Sequence, residues 1–225
     1  GMSEIFDLKD QGAKTANERD HFYYANALDE MGRHFGNSDR PLFTYIQTMS
    51  AHAPYNYVYQ PDIDVPGGAP GTDAQLNEYL RRLSMVHLDY NWLRAEMKRR
   101  FPGERILVVH YGDHQPIATR TLLGYGHHDD PEDMTIKTDG PGYLTYFAVD
   151  GQNWQPPPLP DVEVLDVPYL GGVILEAAGL PLSDSYRERK RLLHVCGGKY
   201  FGCSKRNEVL GFHRRLIDSG LLEAR

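Results

Sequence analysis

The sequence predicts an α/β fold, with a mixed, mainly parallel sheet and helices on both of its faces. Two observations support this prediction. Residues 41–111 show a strand–helix–strand pattern, and a connection of that kind usually joins two parallel strands of one sheet. The apolar run from Ile106 to Val109 is typical of a strand that lies buried within such a sheet.

The first half of the chain supplies the strand–helix–strand unit. A strand is predicted over residues 41–49, which are rich in aromatic and β-branched residues. A long loop with many prolines and glycines follows at residues 56–71. Thr72 begins a capping box, and apolar residues then recur at helical spacing until Pro102. The second strand is predicted over residues 105–111.

The second half carries further elements. Residues 142–149 are predicted to form a strand, and residues 166–178 a helix that Asp166 caps. A last helix is predicted over residues 207–220. Two histidines, His87 on the apolar face of the long helix and His110 within a strand, are predicted to be core residues.

The length and the charge of the chain restrict the class of protein. It has 225 residues and a formal net charge of −7. We predict a single domain over residues 1–225, with a core at about 15–181 and a C-terminal appendage at about 182–225. The acidic balance argues against a nucleic-acid groove, which needs clustered Lys and Arg. It also argues against anionic membranes as the main partner.

The chain shows no membrane-spanning or secretory signal. No apolar run approaches the ~20 residues that a spanning helix needs. Residues 2–20 are charged and lack the apolar centre of a signal peptide. Gly1-Met2 resembles the remnant of a purification tag, so a native targeting segment could lie outside these residues.

The two cysteines, Cys196 and Cys203, lie close together with glycines between them. In an oxidising compartment they could close a small disulfide loop, whereas in the cytosol they would be two free thiols. A metal pair is disfavoured because there is no CxxC motif. We expect the disulfide.

Asp113 and His114 form an adjacent acid–imidazole pair just beyond a predicted strand and Gly112. In open α/β sheets, ligands bind beyond the carboxyl ends of the strands. Carboxylate oxygen and imidazole nitrogen are common ligands of zinc and manganese. Alternatively, the pair caps the next helix and His114 packs against the protein. Both interpretations stay open on these two residues alone.

Three motifs occur in order along the chain: Ser50-Ala51-His52-Ala53-Pro54-Tyr55, Gly112-Asp113-His114 and Leu175-Glu176-Ala177-Ala178-Gly179-Leu180-Pro181. Their order resembles the C-terminal half of the alkaline phosphatase/sulfatase superfamily. They are most similar to the lipoteichoic acid synthase and phosphoethanolamine transferase branch, with its "TMSxHxPY", "GDH" and "LLxxxGLP" patterns. The resemblance covers roughly residues 15–181 and implies a truncated alkaline-phosphatase-like fold.

The resemblance implies roles for individual residues. Asp113 and His114 match the metal pair, with a divalent ion that could be manganese, zinc, magnesium or calcium. His52 matches the histidine that contacts the transferred group; alternatively, it is a loop histidine bonded to a carbonyl. Tyr55 could line the substrate site or simply pack. His127 or His128 could supply a further histidine near the metal or the substrate.

The implied activity is that of a metal-dependent phosphoryl or sulfuryl hydrolase or transferase. Its substrate would be a phosphate or sulfate ester, with an envelope lipid headgroup or a glycan as candidates. The family's nucleophile pattern does not occur before His52, so the chain looks like the C-terminal portion of such an enzyme and is expected to be inactive alone. The native protein would be periplasmic or otherwise extracytoplasmic, and an N-terminal region could anchor it in a membrane. The alternative is a non-catalytic sulfatase-like binding or structural module.

Overall fold

The computed structural model describes residues 4–15, 17–66, 73–120, 122–124 and 140–222. Within these ranges it contains five α-helices and one two-stranded sheet. The chain divides into two compact units. The first consists of residues 1–103 and 114–136, and the second of residues 104–113 and 137–225. No helix in the described ranges is long and apolar enough to cross a membrane.

The first unit is built on two helices that pack against each other, α1 (Asp20–Asn37) and α2 (Ala74–Arg100). Asp73 caps α2, because its carboxylate accepts the Leu76 backbone N–H at 2.9 Å. The predicted cap, Thr72, lies outside the described residues. The last turn of α2 is basic, which complements the negative end of the helix dipole.

The apolar side chains of the two helices form the core of the first unit. Its buried members on the helices are Tyr23, Tyr24, Leu28, Met31, Leu76, Met85, Val86, Tyr90, Leu93 and Met97. His87 was predicted to be a core residue, but it is exposed. The buried stripe of this helix runs through Met85, Val86, Asp89 and Tyr90. Each step along a helix turns the side chain by about 100°, so His87 lies beyond the edge of that stripe.

The second unit contains the sheet and three helices. Strand β1 (Ile106–Tyr111) pairs antiparallel with β2 (Phe147–Gln152), so that Ile106 lies opposite Gln152. The helices are α3 (Val167–Ala177), α4 (Asp184–Cys196) and α5 (Arg206–Asp218). They share a core of Tyr169, Val173, Leu192, Leu193, Tyr200, Val209, Phe212 and Leu216.

The predicted mainly parallel α/β sheet is wrong. The described residues contain one antiparallel strand pair, and residues 41–49 are not assigned to any strand. The partner of β1 comes from later in the chain, so α2 is not a crossover between parallel strands. The residues of β1 are only partly buried, except for the exposed Tyr111, whereas the prediction assumed a strand covered on both faces.

Several individual elements are confirmed. The long helix, the strand before Gly112, and the helices near residues 167 and 207 occur where the periodicity placed them. The strand predicted over residues 142–149 is shifted and covers Phe147–Gln152. Helix α4 was not predicted. The predicted boundary near residue 181 falls inside the second unit.

Candidate functional site

The loop that carries His52 is held by a buried arginine of α2. Arg82 is 2% exposed. Its Nη1 donates to the backbone carbonyl of His52 at 2.7 Å, and its Nη2 donates to that of Pro54 at 2.9 Å. Because main-chain carbonyls are the acceptors, the arginine fixes the path of the backbone at the histidine.

Arg82 is itself paired and enclosed. Its Nε donates to Glu78 Oε1 at 2.8 Å, and both side chains are buried. The rings of Tyr55, Tyr57 and Tyr59 each lie about 5 Å from the guanidinium carbon, within the distance of a cation–π contact. A buried charge is tolerated when it is paired and hydrogen-bonded, and here both conditions are met.

Tyr55 belongs to this packing arrangement. Its side chain is 6% exposed, and its hydroxyl donates to the carbonyl of Ala51 at 2.7 Å. Its ring meets that of Tyr79 edge-on, with 5.5 Å between centroids. The structure therefore places Tyr55 beneath the loop, where it supports the backbone next to His52.

The imidazole of His52 is exposed above this anchored backbone. Its Nδ1 lies 2.7 Å from the carbonyl oxygen of Ala53. A carbonyl only accepts, so Nδ1 carries a proton and Nε2 has the lone pair in the neutral ring. In that form Nε2 accepts a proton or a hydrogen bond, and it donates to a substrate oxygen only as imidazolium.

The start of the loop is fastened to α1 through a buried reciprocal pair. The backbone N–H of Ser50 donates to Asp20 Oδ1 at 3.1 Å, and that of Asp20 donates to Ser50 Oγ at 2.9 Å. Asp20 is fully buried, and its Oδ2 has no hydrogen-bond partner among the described residues. Burial, with a contribution from the nearby Asp89 charge, raises the pKa of Asp20; hydrogen bonds with Ser50 oppose this shift.

Asp89 joins the same end of α1 to α2. Its carboxylate accepts from Arg19 Nε at 2.8 Å and from Arg19 Nη2 at 2.5 Å, in a bidentate pair. It also accepts the backbone N–H of His21 at 3.2 Å. The buried acid thus ties the first turn of α1 to the middle of α2.

Asp113 and His114 follow β1, as predicted, and both are exposed. The ring Nδ1 of His114 lies 3.2 Å from the carbonyl oxygen of Gln115. A Cβ atom at Gly112 would meet the hydroxyl of the exposed Thr145, so a larger residue here would require that side chain to move. Its backbone N–H donates to the carbonyl of Tyr146 at 3.1 Å.

The described residues do not provide a complete metal site. No group of three or more His, Cys, Asp or Glu side chains in these ranges could hold a metal ion. His127 and His128, the candidates for a further histidine, lie outside the described residues. Asp113 and His114 match the chemistry of metal ligands, but two ligands fall short of the usual four.

Cys196 and Cys203 form a disulfide at the end of α4. The bridge packs against the apolar core of the second unit. Asp166 stands at the N-cap position of α3 but makes no side-chain cap bond. Its carboxylate instead accepts the backbone N–H of Phe201 at 2.9 Å, within the loop that the disulfide closes.

Arg82 and Glu78 were not predicted as residues of the site. A glutamate four residues before an arginine is the usual pattern of an exposed helix face, and nothing in that spacing marks the pair as buried. A usable signal was the run of three alternating tyrosines, Tyr55, Tyr57 and Tyr59, which offers ring faces for a cation.

Comparisons with known proteins yield a weak relationship. No family model matches the chain, and no solved structure matches it. An uncharacterized protein of Haemophilus influenzae (strain Rd) is 24% identical over 152 residues. The match covers 67% of this chain and 25% of the relative, so the chain spans about a quarter of the length of the curated relative it matches. None of these comparisons points to the alkaline phosphatase/sulfatase superfamily, and that resemblance stays a prediction.

Proposed function

We propose that the chain contributes part of a phosphoryl- or sulfuryl-transfer site in a metal-dependent hydrolase or transferase. His52 would contact the transferred group, and Asp113 and His114 would supply two ligands of a divalent metal ion. The proposal rests on the order of the three motifs. Its main structural support is that His52 is exposed while the backbone beneath it is fixed by Arg82.

A fixed backbone matters because a transfer site works by holding groups in place before the reaction. When bound, a divalent ion would stabilise charge on the oxygens of the transferred group. The described residues supply only part of its ligand set. We propose that other parts of the whole protein supply the remaining metal ligands and the nucleophile.

The metal assignment is tested by calorimetry with Mn²⁺ and Zn²⁺. We expect the 225-residue chain to bind weakly and the Asp113→Ala variant to lose that binding. Asp161→Ala, which removes another exposed acid from a coil, is the matched control and should bind like the original chain. Unchanged affinity in Asp113→Ala would refute the assignment.

The activity is tested on aryl phosphates, aryl phosphodiesters and aryl sulfates. We expect little or no turnover by the 225-residue chain. Robust turnover that survives His52→Ala would contradict the proposed role of His52. Robust turnover that His52→Ala abolishes would place a nucleophile within these residues.

The second candidate function is a non-catalytic binding or structural module. Two observations favour it: the His52 ring bonds to the adjacent Ala53 carbonyl, and the described ranges hold no three-ligand group. An NMR titration with phenyl phosphate distinguishes the two functions. The chemical shift of the His52 ring is followed, and the ring of the exposed His87 is the internal control. A shift confined to His52 supports the transfer site, and no shift supports the module.

An extracytoplasmic location forms part of the proposal. The Cys196–Cys203 disulfide supports it, because disulfides persist in oxidising compartments. Two further proposals are consistent with that location: an envelope lipid headgroup or a glycan as the substrate, and a membrane anchor in the whole protein. Both rest on the resemblance alone.

A further inference from the structure

Residues 41–49, here called the 41–49 segment, are assigned to no helix and no strand. Residues 41–45 are all exposed, with Phe43 at 71% and Tyr45 at 55%. Within the described part of the chain, no backbone–backbone hydrogen bond involves residues 41–48. Among the described residues, the main chain of residues 41–48 therefore has no main-chain partner. The first half of the segment exposes its apolar side chains, whereas Ile46, Thr48 and Met49 are half-buried.

The composition of the 41–49 segment is that of a strand in the interior of a sheet. Side chains alternate between the two sides of a strand, so in a strand Phe43 and Tyr45 would share one side, and Leu42 and Thr44 the other. Proteins usually protect an exposed strand edge with charges, bulges or a covering element. Residues 41–49 contain no charged residue, and Pro41 stands only at the beginning. Nothing in this sequence discourages pairing.

We propose that the 41–49 segment is a docking strand for polypeptide outside these 225 residues, which adds apolar β-strands to its open edges. Addition of a strand to a free edge supplies main-chain hydrogen bonds, and pockets for alternate side chains give specificity. The matched relative supports this occupant, because three quarters of its length lies outside the part that this chain matches. The inference does not depend on the proposed transfer activity.

A second copy of the chain fits the segment less well. Self-pairing through the 41–49 segment covers one edge of each copy. It leaves the other edge open and both side-chain faces exposed, including Phe43. Strands from a larger body of polypeptide can occupy both edges and cover the faces, as in an interior strand.

The test uses overlapping peptides, each long enough to form a strand. Together they cover the part of the Haemophilus influenzae relative that this chain does not match. Their fluorescence anisotropy is followed as the 225-residue chain is added. Thr44→Pro removes a backbone donor near the centre of the segment, and this donor makes no backbone–backbone hydrogen bond with another described residue. Leu159→Pro is the control, because Leu159 is an exposed apolar coil residue between two prolines.

We expect one or more peptides to bind, with affinity at least about tenfold lower for Thr44→Pro, and unchanged for Leu159→Pro. Hydrogen exchange should then show protection of the amides of residues 42–48 only when the peptide is bound. Circular dichroism confirms that both variants are folded. If Thr44→Pro does not fold, Tyr45→Ser replaces it with the same expectation.

Three results would overturn the proposal. The first is that no peptide binds. The second is that binding is equal in the original chain and in Thr44→Pro. The third is that no peptide binds but the chain forms a dimer in sedimentation experiments, and Thr44→Pro abolishes this dimer. A second copy of the chain would then be the occupant of the segment.

Discussion

The two units of this chain are stabilised by different chemistry. Around the His52 loop, the first unit buries charged groups: Asp20, Glu78, Arg82 and Asp89 are all at most 6% exposed. The second unit has an apolar cluster between its three helices and a disulfide beside it. A charged interior is sensitive to the loss of one partner, whereas an apolar interior is sensitive to the loss of volume. The same kind of substitution should therefore have different consequences in the two units.

The chain offers a separate reporter for each unit. Trp92 lies in α2, and its ring packs on that of His21 at 3.8 Å between centroids. Trp154 lies in the second unit, where its indole N–H donates to the carbonyl of Ala177 at 2.7 Å. These are the two tryptophans of the sequence. Trp154→Phe and Trp92→Phe backgrounds allow the free energy of unfolding to be followed in one unit at a time.

The largest effect is expected from Arg82→Met in the first unit. It leaves the Glu78 carboxylate buried without its closest partner, and a broken buried ion pair typically costs about 3–5 kcal/mol. Urea unfolding monitored by Trp92 measures it. Arg99→Met, on the exposed side of the same helix, should change little. A change in Arg82→Met as small as that in Arg99→Met would contradict the role of the buried network.

The double variant Glu78→Met/Arg82→Met sharpens this prediction. If the cost of Arg82→Met comes from an uncompensated charge, removing both partners should recover part of the lost stability. No recovery would show that the hydrogen bonds from Arg82 to the His52 loop, and not the charge pairing, carry the stability.

In the second unit, Leu192→Ala should destabilise through a cavity. Leu192 is fully buried in the core, and such truncations cost about 2–5 kcal/mol. Unfolding monitored by Trp154 measures the loss. Leu210→Ala, on an exposed position of α5, is the matched control and should leave the transition nearly unchanged. Equal transitions for the two variants would exclude this core as the source of stability.

Removal of the disulfide should have a slightly smaller effect on the second unit. The bridge closes a short loop, with a sequence separation of 7, and the loop-entropy relation gives about 2.5 kcal/mol for a loop of that size. The double variant Cys196→Ala/Cys203→Ala, followed by Trp154, measures it. Dithiothreitol should lower the stability of the original chain to that of the variant and leave the variant unchanged. Equal shifts of the Trp92 and Trp154 transitions would contradict a distinction between the units.

The smallest effect should be a dependence of the first unit on pH. Burial raises the pKa of Asp20 above its usual 3.8, so the folded state binds this proton more tightly than the unfolded state. The contribution of Asp20 to stability is therefore fully present below pH 3.8. It is lost as the pH rises through the folded-state value.

Asp20→Asn tests this dependence, because the amide cannot ionise. The variant should gain stability relative to the original chain as the pH rises above 3.8, in unfolding experiments monitored by Trp92. A difference that stays constant with pH would show that Asp20 does not titrate differently on folding.

Local periodicity predicted individual elements better than their assembly. Helix α2 and strand β1 were predicted because spacing along the chain determines which face each residue occupies. The sheet was mispredicted because strand pairing depends on distant partners: β1 pairs with β2, and the 41–49 segment pairs with no described residue. In the site, exposed His52 and Asp113 were singled out from their motifs, whereas Arg82 was missed because its burial depends on tyrosines and carbonyls from another segment.

The hydrogen bonds from Arg82 to the main chain also bear on how such chains can diverge. Its acceptors near the histidine are backbone carbonyls, which every amino acid possesses. Side chains at positions 52 and 54 can therefore be exchanged without removing an acceptor, whereas no other residue at position 82 provides the same planar set of donors. Among distant relatives, an arginine thirty residues after the loop histidine should persist longer than the loop sequence itself. It would identify the loop in chains where the motif has been lost.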